Sequence, residues 1–381
     1  MVEVGDGNLN LVFIVTGALG SIVVKQALPY VRVVGESWPM SRERATFEHH
    51  ALIRLGARDP GRLPAMHHFD PDQSMQIMEH VSPHVILRRE LIAGKTFAVL
   101  GDQLGRYLAR TLFRGSELSL PTAARKADLA LFAGNVELSG ITEDLVFTDW
   151  FWACSRNRHT ALLDDTVAAV RADLDLKLAA LELKSRFCSL GQTLLHGDLH
   201  TGSIMVAPGD TRVIDAEFAV YGPIGFDIGL LLGNLWMACI AQPAHRGDPD
   251  EARAYGRWIL DTSATVWTVF VAEFSTLWRT ERTGILSGRE LFEDRGDAAG
   301  SEAALRKVLQ DIWQDTLGYA GIEMHRRILG FAHVAEFESI ADEATRAERE
   351  RRALAAGRAL AVQRHEFLTI DQVNDWIAHC L

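Results

Sequence analysis

The chain has 381 residues, 48% of them hydrophobic and 23% charged, and 39 Lys and Arg against 50 Asp and Glu give a net charge of −11. That length accommodates two lobes with a core each, and the acidic balance argues against a nucleic-acid or anionic-membrane partner. The cysteines Cys154, Cys188, Cys239 and Cys380 show no paired metal spacing, no signal peptide is present, and the apolar run at 228–240 is too short for a bilayer; together these predict a soluble, cytoplasmic protein with reduced thiols.

From the start of the chain, residues 2–4 read as the end of a strand, Gly5-Asp6-Gly7-Asn8 as a turn, and residues 9–15 as the returning strand. A glycine-rich hairpin lets backbone N–H groups approach phosphates closely, but a lone G-D-G-N tetrad is more often only a turn. Residues 21–26 form a further strand that carries Lys25. The loop at 34–39 holds the exposed-looking Trp38, which on its own reads as an anchor for the next helix. That helix is capped by Ser41 and sets Arg44, Phe47, Glu48, Ala51, Leu52 and Leu55 at helical spacing. Residues 75–78 read as a buried strand running into Glu79-His80-Val81. Helices are expected over 87–91, 98–113 and 166–190, with helix and irregular chain mixed over 114–149. The His49-His50 and His67-His68 pairs read as surface or satisfied helix residues, since no H-E-x-x-H pattern accompanies them.

The chemistry is concentrated at 194–229. His196-Gly197-Asp198-Leu199-His200 is a polar loop, residues 204–206 and 212–214 are short apolar runs, and Pro208-Gly209-Asp210 is a turn between them. Two short strands so joined make a hairpin whose open ends carry Asp198 on one side and Asp215 and Glu217 on the other. Buried carboxylates repel one another and are costly to desolvate, so three converging acids call for a hard, oxygen-liking cation such as Mg²⁺. One Asp to receive an acceptor hydroxyl's proton, with further acids holding Mg²⁺ against nucleotide phosphates, is the composition of a phosphoryl-transfer site.

Beyond this stretch Asp227 can cap the following apolar helix and receive N–H groups from the 196–200 loop. Residues 254–279 and 302–318 read as amphipathic helices, and 342–352 as a solvated helix face. Arg326 and Arg327 are adjacent on a helix, about 100° apart, so at most one is expected to face the core.

The HGDLH loop, the short hairpin and the acidic motif resemble the kinases of the aminoglycoside phosphotransferase and choline kinase type. Within that group, HGDLHTGSIMV with D-x-E-F-A and YGP-x-GFDIG resembles the methylthioribose kinase family, and so do D-G-N-L-N at 6–10 and V-K-Q-A-L-P-Y-V at 24–31. The wider group usually has Asn where Ser203 stands, and Asp-x-Asp or Asp-Phe-Gly where Asp215-Ala216-Glu217 stands. The resemblance implies that Asn8 contacts nucleotide and Lys25 its phosphates, with Glu48 orienting Lys25 in preference to an i,i+4 pair with Arg44. It places Glu79, His80 and Val81 at the adenine hinge, Arg326 and Arg327 beside the sugar and the transferring phosphate, and makes Trp38 a candidate lid beside the active site. Members generally carry a further N-terminal segment, so an upstream piece is expected to be missing.

The expectation is an α+β, two-lobed protein-kinase-like fold. Residues 1–80 form a nucleotide-binding lobe built on a sheet, and 81–381 a mainly helical catalytic and substrate-binding lobe. The activity implied by resemblance is ATP- and Mg²⁺-dependent phosphorylation of the 1-hydroxyl of 5-methylthioribose by a homodimer in methionine salvage. Asp198 is the catalytic residue, and Asp215, Ala216 and Glu217 form the nucleotide-metal motif, with Asp215 and Glu217 on the metal. The alternatives are a kinase for an aminoglycoside, choline or homoserine, against which paired arginines argue, and a non-catalytic nucleotide-binding module.

Overall fold

The computed structural model describes residues 1–4, 9–32 and 34–381; residues 5–8, where a turn is expected and which include Asn8, lie outside the described residues. Five strands form an antiparallel sheet in the order β1-β2-β3-β7-β6. These are β1 (Val2–Glu3), β2 (Asn10–Gly17), β3 (Gly20–Ala27), β6 (Met66–Asp70) and β7 (Met75–Glu79), while β4 (Tyr30–Val31) and β5 (Gly35–Pro39) pair as a separate ribbon. The tight β2–β3 turn closes on Gly17 and Gly20, and Gly20 takes a φ of 132° that a side chain would oppose. β3 is central and sets Lys25 opposite Val12 on one side and Gln76 on the other.

The helix Arg44–Arg58 lies against β3, β6 and β7 and buries Glu48, Ala51, Leu52 and Leu55. Ser41 precedes it and its hydroxyl accepts the N–H of Glu43 at 3.1 Å. Arg44 does not pair with Glu48. Its guanidinium turns back to the carbonyls of Leu28 and Ser41, each at 2.7 Å, and to Asn10 Oδ1 at 3.0 Å.

The rest of the chain is mainly helical, around the helix Gly225–His245. This helix extends past the apolar 228–240 run at both ends, to 21 residues, long and apolar enough to cross a membrane, yet its apolar window is wholly buried inside the protein. An all-round apolar helix of that kind belongs in a core. Gly225, Gly229 and Gly233 recur every fourth residue and admit the backbone of the helix Ala298–Leu329. A Cβ on Gly229 would stand 2.6 Å from the Thr316 carbonyl oxygen, and one on Gly225 would stand 2.6 Å from Asp315 Cβ.

The single helix expected over 166–190 is two, Asp164–Ala172 and Leu174–Ser189. Asp173 leaves the helical region (ψ 104°), and its carboxylate caps the second helix by accepting the N–H of Leu176 at 3.1 Å. Conversely, 302–318 and the arginine pair share one unbroken helix, Ala298–Leu329. The charged run at 342–352 starts the helix Glu343–Val362, whose inner face buries Ala347 and Glu350 and so is only partly solvated.

Among these helices lie β8 (Val85–Ile86), β9 (Thr193–Leu194), β10 (Ile204–Ala207), β11 (Asp210–Val213) and β12 (Tyr221–Gly222). β10 and β11 form the hairpin, in register from Ile204↔Val213 to Ala207↔Asp210, and β8 adds to its β10 edge. β9 and β12 pair beside it and bracket the polar loop.

Candidate active site

The hairpin dictates where its acids go. Pro208 and Gly209 close it, with Gly209 at φ 83° as such a turn requires. At the open end Ile214 donates its N–H to the Ser203 carbonyl at 2.9 Å. Asp215 then takes a φ of 70°, which Asp tolerates better than most residues and which breaks the strand direction.

Asp215 forms an ion pair with Lys25 of β3, which also donates to Glu48 Oε1 at 2.7 Å. Gln76 of β7 donates to the other oxygen, Glu48 Oε2, at 2.8 Å. Glu217, 5% exposed, accepts from Asn10 Nδ2 at 2.6 Å, and Asn10 is itself oriented by Arg44 on its oxygen. Ala216 between the two acids is fully buried. Burial works against the Lys25 ammonium, but Asp215, Glu48 and Glu217 outweigh it and hold its pKa above the ordinary value. Burial pushes the Glu217 carboxyl up to about 8; Lys25 opposes this, while Asp215 and Glu48 add to it.

Carboxylate oxygens of Glu48, Asp215 and Glu217 lie within 4.8 Å of one another. A donor set of oxygens alone fits a hard divalent cation, and the half-open Asp215 side chain, 47% exposed, gives it access. Asp198, expected to converge with Asp215 and Glu217, is not in this cluster. The third acid is Glu48, because Lys25 draws it and Asp215 to one point.

Asp198 belongs to a second, adjoining group. Its loop is held from below by Asp227, whose carboxylate accepts the N–H of His196 at 2.7 Å and of Gly197 at 3.0 Å. Asp227 is the third residue of its helix, and Ile224 stands at the cap position. Its carboxylate therefore serves the loop and not the helix start. Gly197 has a φ of 87°, and a Cβ there would meet the Phe218 carbonyl oxygen at 2.1 Å. His196 connects the two groups: its Nδ1 accepts the Asp198 N–H at 3.3 Å and its Nε2 donates to the carbonyl of Ile214, next to Asp215, at 2.9 Å.

The Asp198 carboxylate is surrounded by donors. Arg326 and Arg327 reach Oδ1 through Nη2 at 2.7 and 3.1 Å, and His200 Nε2 lies 3.3 Å from Oδ2. His200 Nδ1 accepts the Gly202 N–H, so the proton sits on Nε2, facing Asp198. Burial pushes His200 down to about 4, so the ring is neutral. Burial disfavours the Asp198 anion, but His200, Arg327 and Arg326 outweigh it and hold the carboxyl well below its usual range. Ser203, where the wider family has Asn, donates its hydroxyl to the Asp198 carbonyl at 3.1 Å.

Both arginines face inward, at 7% and 4% exposure, where one was expected to. Glu323, three and four residues earlier on the same helix, accepts Arg326 Nε at 2.5 Å and Arg327 Nε at 2.7 Å, and so draws both guanidinia to one side. The i,i+3 and i,i+4 spacing of E-x-x-R-R is the sequence signal that would have found Glu323. Asn10 and His200 stand in the D-G-N-L-N and HGDLH motifs, but neither was assigned a role from the sequence.

Glu79 ends β7 and bonds Ala65 through its N–H and its carboxylate, at 2.8 and 3.0 Å. The His80 ring lies 2.7 Å from Ser21 Oγ of β3, and Val81 is buried. This segment leaves the sheet for the helical part. Trp38 is partly buried beside Val31, Met40 and Leu138, its ring 5.8 Å from that of Phe331 and 5.4 Å from the Arg156 guanidinium. It therefore reaches from β5 to the helical side.

Residues 1–265 match the model of the phosphotransferase enzyme family. "Methylthioribose kinase 2" of Oryza sativa subsp. japonica is 44% identical, over 97% of this chain and 87% of its own length. "Methylthioribose kinase" of Escherichia coli O45:K1 (strain S88 / ExPEC) is 43% identical, over 97% and 88%. The chain belongs to the methylthioribose kinase family. Among solved structures, a glucosamine kinase in complex with glucosamine, ADP and inorganic phosphate aligns with 93% of this chain and 79% of its own, at 16% identity and a TM-score of 0.48. Membership of the methylthioribose kinase family makes this chain a small-molecule kinase. Lys25, Glu48, Asp215 and Glu217 suit polyphosphate and metal, while Asp198, His200, Arg326 and Arg327 suit a polar acceptor.

Proposed function

We propose that this protein transfers the γ-phosphoryl group of ATP to the 1-hydroxyl of 5-methylthioribose, in methionine salvage. The observation that carries the reading is the pair of arginines converging on the Asp198 carboxylate, beside a Lys–Glu–Asp–Glu cluster, in a chain 43–45% identical to methylthioribose kinases.

Asp198 accepts a hydrogen bond from the acceptor hydroxyl and aims its oxygen at the γ-phosphorus. Held strongly acidic by its donors, it orients that hydroxyl and takes the proton only as the oxygen bonds to phosphorus, in keeping with a loose transition state. Arg326 and Arg327 lie next to that oxygen and offset charge on the transferring group. Lys25, steered by Glu48, takes the nucleotide phosphates, Asn8 contacts the nucleotide, and Glu79, His80 and Val81 present the hinge to adenine. Residues 1–80 serve as the nucleotide lobe and 81–381 as the catalytic and sugar lobe. Asp215 and Glu217 would hold Mg²⁺, which when bound neutralises phosphate charge. The working form is a cytoplasmic homodimer, for which sedimentation at twice the chain mass is the test.

ADP release with methylthioribose, choline and an aminoglycoside as acceptors tests the reading. Turnover is expected with methylthioribose alone, and preferred use of either cationic acceptor contradicts it. In the Asp198→Asn variant turnover should fall about 10²- to 10⁴-fold, the range for a positioned proton acceptor, with nucleotide binding kept. An unchanged rate would remove Asp198 from the mechanism.

A further inference from the structure

Glu323 is a carboxylate with no exposed surface, six residues before the end of the helix Ala298–Leu329, and none of its hydrogen bonds goes to Lys25, Glu48, Asp215 or Glu217. Burying an isolated anion is costly, so its partners explain its presence. It accepts Arg326 Nε at 2.5 Å, Arg327 Nε at 2.7 Å and Asn234 Nδ2 at 2.9 Å, and Arg326 Nη2 lies at 3.4 Å. Asn234 comes from the central helix Gly225–His245, is 1% exposed, and spends its second amide proton on its own Leu230 carbonyl at 2.9 Å. Arg88 reaches its oxygen from the other side at 3.4 Å.

The division of nitrogens is informative. Glu323 grips each guanidinium by its Nε edge, and each guanidinium then presents Nη2 to a single point, which Asp198 Oδ1 occupies. Two unrestrained arginines would repel each other; Arg326 is indeed among the charges that lower the Arg327 pKa. A single carboxylate shared between their inner edges holds them in parallel. With Asp198 the four charges sum to zero, so the pair needs no bound anion to keep its place.

We infer that Glu323 is the positioning residue for the acceptor subsite: through the paired arginines it sets the point where the acceptor hydroxyl and the transferring phosphoryl group meet. Asn234 fixes the carboxylate against the core helix. This inference rests on the function proposed above. It predicts a functional defect confined to the acceptor side, because no bond of Glu323 reaches Lys25, Asp215 or Glu217.

The test is Glu323→Gln, which keeps shape and removes charge, assayed with wild type, Glu323→Asp and Arg327→Lys. Removing one partner of a buried charged network costs on the order of 100-fold, expected here in turnover with methylthioribose, with nucleotide affinity within twofold of wild type and partial recovery in Glu323→Asp. In a cycle with Arg327→Lys the two losses should be less than multiplicative, since Glu323 acts through the arginines. Normal turnover in Glu323→Gln, an equal loss of nucleotide affinity, or fully multiplicative losses would overturn the inference. If Glu323→Gln does not fold, Asn234→Ser removes one bond and keeps the charge; a several-fold loss of turnover with nucleotide affinity held is expected, and wild-type turnover overturns the inference. Wild-type protein inactive on methylthioribose would instead sink the proposed function, so the two failures are distinguishable.

Discussion

At the scale of single residues, partners and burial decide each ionisable group's role. Lys25 and Glu48 are matched in the sequence through the family resemblance, since a lone lysine on a strand is usually solvated; their burial and ion pair appear only in the fold. Asp198 could be picked out from its loop, but of the donors that make it so acidic only His200 is near in sequence; Arg326 and Arg327 come more than a hundred positions later. His325 shows the same physics away from the chemistry. It is fully buried, its ring 4.9 Å from that of Trp150, its Nδ1 donates to the Gly321 carbonyl at 2.7 Å, and burial pushes its pKa down to about 4. The unfolded chain protonates this ring near pH 6.5, so its neutral form stabilises the fold fully above that pH and progressively less as pH falls through about 4. The contribution is about 3 kcal/mol by linkage. His325→Phe, which keeps an aromatic ring there, should flatten the decline in chemical stability between pH 6.5 and 4. Denaturant titrations of both proteins across that range check it, and parallel curves would contradict it.

At the scale of elements, the 204–213 hairpin, the β3 strand and the first helix are legible in the sequence because each is set by local rules: turn residues, alternation, helical spacing. The division of 164–189 is less visible, because one aspartate replaces a helical residue with a cap and leaves the apolar periodicity almost intact. The arginine pair was misjudged for a related reason. Helical geometry separates adjacent Cβ atoms, but long side chains can curl back onto one buried acid a turn earlier. β6 was not anticipated; two of its residues are exposed histidines, and its place at the sheet edge comes from pairing with β7. The contact between the two longest-buried helices rests on glycine. Gly229→Ala must fit a Cβ against Thr316 oxygen and Tyr319 Cβ, at 2.6 and 2.8 Å, and overpacking of that kind costs about 1–3 kcal/mol. Thermal unfolding should show a clear loss of stability, whereas Gly209→Ala, at an open turn, should cost only the strain of its φ. Equal stability of Gly229→Ala and wild type would mean the helices can separate without penalty.

At the scale of the whole molecule, the sheet and the helical part are joined by polar links at the chemistry itself. Lys25 to Asp215 and Asn10 to Glu217 both cross from strand to post-hairpin loop, and Trp38 meets Phe331 and Arg156 farther along. Anything that brings nucleotide to the sheet therefore bears directly on the acids of the loop. His196 and His200 bond toward those acids and Asp198, so the two groups share one short stretch of chain. The fold class and this ordering follow from the HGDLH loop and its hairpin, but the surroundings of Asp198 depend on a distant helix marked in the sequence only by its E-x-x-R-R spacing. The most direct check of the central claim is phosphorus NMR of the reaction with ATP and methylthioribose. A resonance of a sugar 1-phosphate growing in step with ADP, and missing with Asp198→Asn, is the predicted result; ADP formed without that resonance, or no ADP at all, would contradict the account.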